Sequence, residues 1–495
     1  MTDPHTTSSS SEGASHSAAT SDHPYFDATA YGNGPGDSVS DATENAAITH
    51  HSIKLGGKTI QITTTDRKLS AHGGQVAFAA FLAQLKVRPL LARLLPQRPT
   101  SPNALAPVEI ALGFMAGVLA GADKLTRVGW LRGDPVLPEV LELKRLPSQS
   151  TLSRFFGGFR HVGHSLGCFQ PLWRWAMERL PRRAGGYTLD LDSTALLHED
   201  GHQEGVRVGY TRVGLKPCLH PLLAVLAEAR LCAQFWLRPG DAHCAHNVLA
   251  FTETLLLNLP AHVSVRLVRA DAGFQNDAWL SLLEQKHLSY IVVADLSVRV
   301  KSVIRSQKNW QPTAVAGLEV ADQIYHSKHA SRPRRLVLLR RRIDTGRGGG
   351  KMLIDCPGYQ YQALLTNLPP SIAALDVWRD YNGRAGMENV IKELKGGFGL
   401  PGFCCQKFFA TEAVLSLAVF TYNLYQLFCR QVGLLGLLGS ATIATARYRL
   451  FHCAAILSRR QNQSTLTLAI PPPKRPWWAA LWQRLTPSQF QLHCN

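Results

Sequence analysis

Residues 1–50 contain no lysine and no arginine, but five Asp and two Glu among Ser, Thr, Ala and Gly. Large apolar side chains are scarce there too. Such a stretch cannot offset the entropy of ordering itself, so 1–50 is expected to be a disordered acidic tail. The ten cysteines include no C-x-x-C pair, which removes the usual zinc-ribbon and redox motifs. The N-terminus is polar and lacks the apolar stretch of a secretory signal, so reduced thiols in a cytoplasmic protein are expected. The apolar run Ala413–Phe428 is too short to cross a bilayer and carries Asn423 and two tyrosines. It reads as a buried helix, and no membrane is expected as a partner.

Acidic residues are also few beyond the tail. Residues 51–495 hold all 53 Lys and Arg but 28 Asp and Glu, a net charge of +25. A body this basic favours a polyanionic partner. At 495 residues the chain is long enough for two or three domains with sizeable cores.

The stretch Asp380–Lys395, DYNGRAGMENVIKELK, organises the rest. Read as one helix, it gathers Tyr381, Arg384, Glu388 and Lys395 on one face. Met387, Val390 and Leu394 fall opposite, with Ile391 at the boundary. A carboxylate flanked by cations suits a place where a metal ion and a phosphate meet; a solvated helix face with an Arg–Glu pair is the alternative. Gly383 and Gly386 each cost about 1 kcal/mol relative to alanine inside a helix, which points to close approach of another backbone.

Along the chain, SIKL-GGK-TIQITTT (51–66) reads as a hairpin around Gly-Gly. Residues 70–180 read as helical, with Gly74–Leu95, Ala106–Ala120, Pro138–Leu143 and Ser150–Phe159 as candidate helices. Lys124, Arg127, Arg132, Arg154 and Arg160 there resemble the basic residues of a helix-turn-helix DNA reader, against a plain helical scaffold. From Gly185 the texture is α/β. In YTLDLD (Tyr187–Asp192), alternation puts Asp190 and Asp192 on one face, an expensive placement without a cation. Leu222–Ala227, Leu231–Leu237, Val263–Val268 and Tyr290–Ala294 read as strands, and Asn247–Leu257 and Asp277–Gln285 as helices. The strand from Val263 delivers Arg269 and Asp271 at its end. Residues 296–370 read as strand after strand with no clear helix, a basic β-rich insertion with a glycine-rich turn at 347–350. A basic C-terminal helix is expected near Ala444–Arg460.

Asp192 and Asp271 at strand ends and Glu388 on a helix form a candidate carboxylate triad. Hard oxygen ligands with open positions suit Mg2+, with Mn2+ as a substitute. A pair of such ions can activate a nucleophile and stabilise the leaving oxygen of a phosphodiester. His198, His202, His220, His243 and His246 lack finger spacing with cysteine and read as surface or supporting histidines rather than zinc ligands. Trp310 reads as a packed tryptophan, with stacking on a base as the alternative.

LDST (Leu191–Thr194), RADAGF (Arg269–Phe274) and the Y-x2-R-x3-E-x6-K helix together resemble the DDE transposases of bacterial insertion sequences, in the group carrying the YREK signature. EGVRVGY (Glu204–Tyr210), HPLLAVLAE (His220–Glu228), LRPGDAH (Leu237–His243) and IKELKGGFGLPGF (Ile391–Phe403) are similar to one branch of that group. The likeness runs from about residue 70 to 460. It implies an α/β protein with an RNase H-like catalytic core interrupted by a β-rich insertion and preceded by a helical DNA-binding domain. The expected divisions are 51–184 for that domain, 185–295 and 373–430 for the core, 296–372 for the insertion, and 431–495 for a C-terminal helical region. The resemblance also implies roles. Asp192, Asp271 and Glu388 would be catalytic metal ligands, with Asp190 the competitor for the first position. Tyr381, Arg384, Lys395 and, by its place on the wheel, Lys392 would contact DNA. The partners would be double-stranded DNA, as inverted-repeat ends and target, and a second copy in a homodimer. A noncatalytic DNA-binding descendant and a host nuclease of the same fold remain as alternatives.

Overall fold

The computed structural model describes residues 51–97, 101–199, 201–211, 213–327, 332–343, 351–353, 356–439, 441–461 and 463–485. The expected acidic tail at 1–50 and the glycine-rich turn at 347–350 lie outside them. The chain divides after Asp66. In the first unit His51–Leu55 pairs antiparallel with Lys58–Ile62. Gly56 and Gly57 both have positive φ, as a two-residue hairpin turn requires.

The second unit is built on a mixed sheet. Its strands, in chain order, are β1 (Tyr187–Ser193), β2 (Leu222–Leu226), β3 (Leu231–Trp236), β4 (Val265–Ala270), β5 (Ser289–Val293), β6 (Gln311–Pro312), β7 (Leu318–Tyr325), β8 (Arg334–Arg342), β9 (Lys351–Leu353) and β10 (Cys356–Thr366). They lie in the order β6-β7-β8-β10-β5-β4-β1-β2-β3, with β9 also on β10. β1, β4 and β5 run parallel, and β2 and β3 continue from β1 as an antiparallel meander. LLAVL in β2 is buried throughout, the pattern of a strand covered on both faces. Helices Val248–Asn258 and Asp277–Gln285 make the crossovers.

β3 is the last strand, and a helix closes its open side. Phe408–Gln431 is buried along almost its whole length and packs on β3 and on the helix Val162–Met177. Asn423, fully buried, accepts from the Cys232 amide (2.8 Å) and donates to its carbonyl (2.7 Å). Glu412 accepts from the Leu237 amide at 3.2 Å. The apolar run is therefore part of a 24-residue helix, longer than expected and long enough by composition to cross a membrane, but buried inside the protein.

Several expectations are corrected. Residues 298–306 form a helix whose Ser297 caps it, and β6 to β10 extend the main sheet outward from β5. The helix expected over Gly74–Leu95 is two, Val76–Gln84 and Val87–Leu94, broken at Lys86 in the left-handed region. Val162–Met177, not among the candidate helices, is helical despite Pro171. In place of a helix through Arg460, Ala455–Arg460 is a strand between Gln463–Leu468 and Lys68–Ser70. In QSTLTL, Leu466 and Leu468 alternate with polar residues and are the partly buried positions of that strand. Trp310 is partly buried, with the Arg340 guanidinium 4.5 Å from its ring and from that of Tyr359.

Candidate active site

β1 and β4 are adjacent and parallel, with Asp190 opposite Arg269. Carried two residues further, this register sets Asp271 level with Asp192. The offset of 79 residues between the two acids is the offset of the register itself. Asp271 has an extended backbone, and its carboxylate accepts from the Gly273 amide at 3.0 Å to start a short 3-10 turn. The two acids thus stand side by side at the C-terminal ends of neighbouring strands.

The paired aspartates of β1 have different surroundings. Asp190 is fully buried and takes a two-pronged ion pair from Arg269, at 2.6 and 2.8 Å. Arg269 also donates to the Asp380 carbonyl, which ties the helix Ala374–Asn382 to the strand ends. Asp192 instead faces the cluster. Burial pushes its carboxyl up to about 6; Arg384 opposes this, Asp271 adds to it, and the Ser193 amide (2.8 Å) opposes it.

The stretch read as one helix is two, Ala374–Asn382 and Ala385–Gly397, joined by a tight turn at Gly383 and Arg384. Gly383 has a reason to be glycine, since a Cβ there would run into the Arg269 guanidinium, a side chain rather than a backbone. Gly386 faces open space, so close approach does not explain it. Met387, Val390 and Leu394 are buried as the wheel required. Arg384 is buried; its Nη2 pairs with Asp192 Oδ2 at 2.8 Å and donates to the Leu191 carbonyl at 3.1 Å. Desolvation lowers the affinity of this guanidinium for its proton, and Asp192, Tyr381 and Asp271 more than restore it. Burial raises the Tyr381 phenol; Arg384 opposes this, while the charges of Asp271, Asp192 and Asp190 add to it.

Lys395 donates from Nζ to the Ala195 carbonyl at 2.7 Å. The helix and the residue that precedes it therefore hold β1 through Arg384 and the segment after β1 through Lys395. Glu388 lies on this helix, one turn past Arg384, and is exposed, as is Lys392. Among the described residues no three His, Cys, Asp or Glu side chains are arranged to hold a metal ion. The structure thus brings Asp192, Asp271, Tyr381 and Arg384 together and does not gather Glu388 with the two aspartates. The position beside Asp192 that a cation would fill is taken by Arg384.

The chemistry of the donor set still fits a divalent ion. Two adjacent carboxyl groups, one held up to about 6 by burial and by its neighbour, are an arrangement that a hard cation relieves. Around them, the sequence points to His220 as a surface or supporting histidine but gives no role to Cys244 or Arg238. Ser193 Oγ lies 3.1 Å from Cys244 Sγ and 3.4 Å from His220 Nε2, and His220 Nδ1 is 3.0 Å from the Ala242 carbonyl. Burial lowers the His220 imidazole, Arg238 and Lys395 lower it further, and the Ala242 carbonyl and Asp271 oppose them. Arg238, 2% exposed, donates to the carbonyls of His220, His243, Cys244 and His246 at 2.8–3.1 Å. It shapes the loop that walls the site, and burial lowers its guanidinium to about 10. An arginine directly after a strand and before Pro-Gly was the available signal.

With this geometry established, the chain can be set beside known proteins. A family described as transposase DDE domain group 1 matches residues 53–490. No curated protein matches. Among solved structures, a piggyBac transposase synaptic complex with hairpin DNA is similar over 85% of this chain and 88% of that one, at 11% identity and a TM-score of 0.41.

Proposed function

Because the chain belongs to the transposase DDE domain group 1 family, we propose that it acts on the inverted-repeat ends of a bacterial insertion sequence, cutting them and joining their 3′-hydroxyls to target DNA. One observation carries the reading: Asp192 and Asp271 stand level at the C-terminal ends of adjacent parallel strands, beside Arg384 and Tyr381. The strand order β3-β2-β1-β4-β5 supports an RNase H-like core. The spacing of Tyr381, Arg384, Glu388 and Lys395 supports the YREK group.

Asp192, Asp271 and Glu388 would hold Mg2+, or Mn2+ in its place. When bound, the ion would supply charge to activate the attacking oxygen and to steady the leaving one. The chain's own residues do the rest. Burial and the nearby charge of Asp271 disfavour a lone Asp192 carboxylate, so it has reason to accept a cation. Asp190 neutralises Arg269, which fixes the turn that aims Arg384. Arg384, Tyr381, Lys395 and Lys392 would bear on phosphates near the scissile bond. Duplex DNA suits the net charge of +25 over residues 51–495. Two ends need two sites, so a homodimer is the expected assembly, working in the cytoplasm on nucleoid DNA.

The test uses the full chain with duplexes from both flanks of its own gene, with Mg2+ or EDTA. Wild type should cut at the ends. Asp192→Ala, Asp271→Ala and Glu388→Ala should each bind the ends and not cut. Mg2+-dependent cleavage retained in any of the three overturns its assignment. The exposed Glu388 favours a second reading, a noncatalytic DNA-binding descendant. Absence of cutting by wild type in both Mg2+ and Mn2+, with end binding intact, would establish that one.

A further inference from the structure

The helix Gln149–Gly157 buries Leu152, Phe155 and Phe156 and turns Gln149, Ser150, Ser153 and Arg154 outward. These four recur every three to four residues and form one face. Ser148 fixes the first turn, its hydroxyl accepting from the Thr151 amide at 3.2 Å. An amide, two hydroxyls and a guanidinium along one face are groups that pair with base edges, whereas a protein interface centres on apolar anchors.

The helix Leu125–Trp130 packs across this one. Gly129 sits so close that a Cβ there would lie 3.0 Å from the Gln149 amide nitrogen. Trp130, 76% exposed, is thereby left beside the start of the polar face. Lys124, Arg127 and Arg132, on or next to the same short helix, are exposed, as is Arg160 past the far end of Gln149–Gly157. The neighbouring carboxylate Asp123 is bound to Arg127 at 2.8 Å. An open indole among cations, next to a polar helix start, matches a duplex: charge for phosphates, a flat ring for a sugar or groove wall, and side chains for base edges.

We propose that this face reads the sequence of duplex DNA, with the start of helix Gln149–Gly157 in the major groove. Gln149 and Arg154 meet base edges, Ser150 and Ser153 support them, and Trp130 lies against the groove wall. The inference rests on the transposase reading and adds the residues that choose the site. The surface is also locked to the active site. Gly399 and Gly402, just past the helix Ala385–Gly397, press backbone to backbone on Asp123, and a side chain at Gly402 would run into the Asp123 carbonyl. Sequence read at this surface is thus held at a fixed offset from Asp192.

The test selects a motif for the full chain from duplexes of about 30 bp, long enough for two half-sites, with a randomised centre. Wild type should enrich one motif. Gln149→Ala and Arg154→Ala should each relax one or two positions and bind the wild-type motif on the order of tenfold more weakly, with affinity for random duplex nearly unchanged. Trp130→Ala should weaken binding and keep the motif. Unaltered motif and affinity in both helix variants, or no motif from wild type, overturns the proposal. So does loss of a DNA-free dimer on Trp130→Ala, which would make this face an interface between copies. A motif that shifts in the variants without any cleavage by wild type would sink the transposition reading and leave this one standing.

Discussion

Asp192→Asn should make the metal-free protein more stable, although it removes a central acid of the site. The carboxyl is buried and held up to about 6 against an ordinary 3.8. Because the folded protein binds this proton more tightly than the unfolded chain, the contribution to stability is full below about pH 4. It is lost as pH rises through about 6. The interval corresponds to about 3 kcal/mol, so at pH 8 the charged form weakens the fold by up to that amount. Asparagine is spared it and can still accept from Arg384. For a body of about 430 residues the entropy of unfolding is about 0.9 kcal/mol/K, so the expected gain in Tm is about 3 °C. Thermal unfolding in EDTA at pH 8 and at pH 4 reads both arms: a gain at pH 8 that disappears at pH 4. Mg2+ should then raise the wild-type Tm and leave the variant's almost unmoved. A lower Tm for Asp192→Asn at pH 8 in EDTA would refute the reasoning, since it would mean that the ion pair with Arg384 outweighs desolvation.

Asp190→Ala should act in the opposite sense, because it strands Arg269 without its buried partner; a loss of about 3–5 kcal/mol is expected in chemical denaturation. Asn423→Leu should cost about 2–4 kcal/mol by the same measurement, since it leaves the amide and carbonyl of Cys232 without their partner.

Much of the core was legible because strands and crossover helices announce themselves by period and length. LLAVL, LCAQFW and DAWLSLLEQ formed where patterning put them. The meeting of Asp192 with Asp271 was legible only in outline. A spacing of 79 is compatible with many folds, and it becomes a statement about adjacency once β1 and β4 are known to pair at that offset. The helix break at Gly383 was hidden because the turn keeps near-helical dihedrals, so the wheel still groups Tyr381 and Arg384. Glu388 is where motif and geometry part, since a shared face does not fix which side chain turns inward. The helix expected near Ala444–Arg460 stops at Phe451, and its last part, Ala455–Arg460, instead turns at Gln461 (φ 53°) into a hairpin with Gln463–Leu468. His220, Arg238 and Cys244 come together through loop carbonyls, which leave no trace in residue type.

The sealing of β3 by Asn423 and Glu412 has a consequence for how copies of this chain can meet. An open strand rim is a template on which any extended segment can crystallise, whatever its sequence. In the main sheet one rim is occupied by helix side chains, and the other ends in β6, two residues of which the second is a proline without an amide hydrogen. The β3 rim is thus covered by a helix, whereas β6 pairs only with Glu319 and Val320 and leaves the rest of β7 without a strand partner on that side. At the β3 end, recognition between two molecules is therefore steered away from indiscriminate ribbon growth and toward side-chain surfaces, which can be specific and reversible.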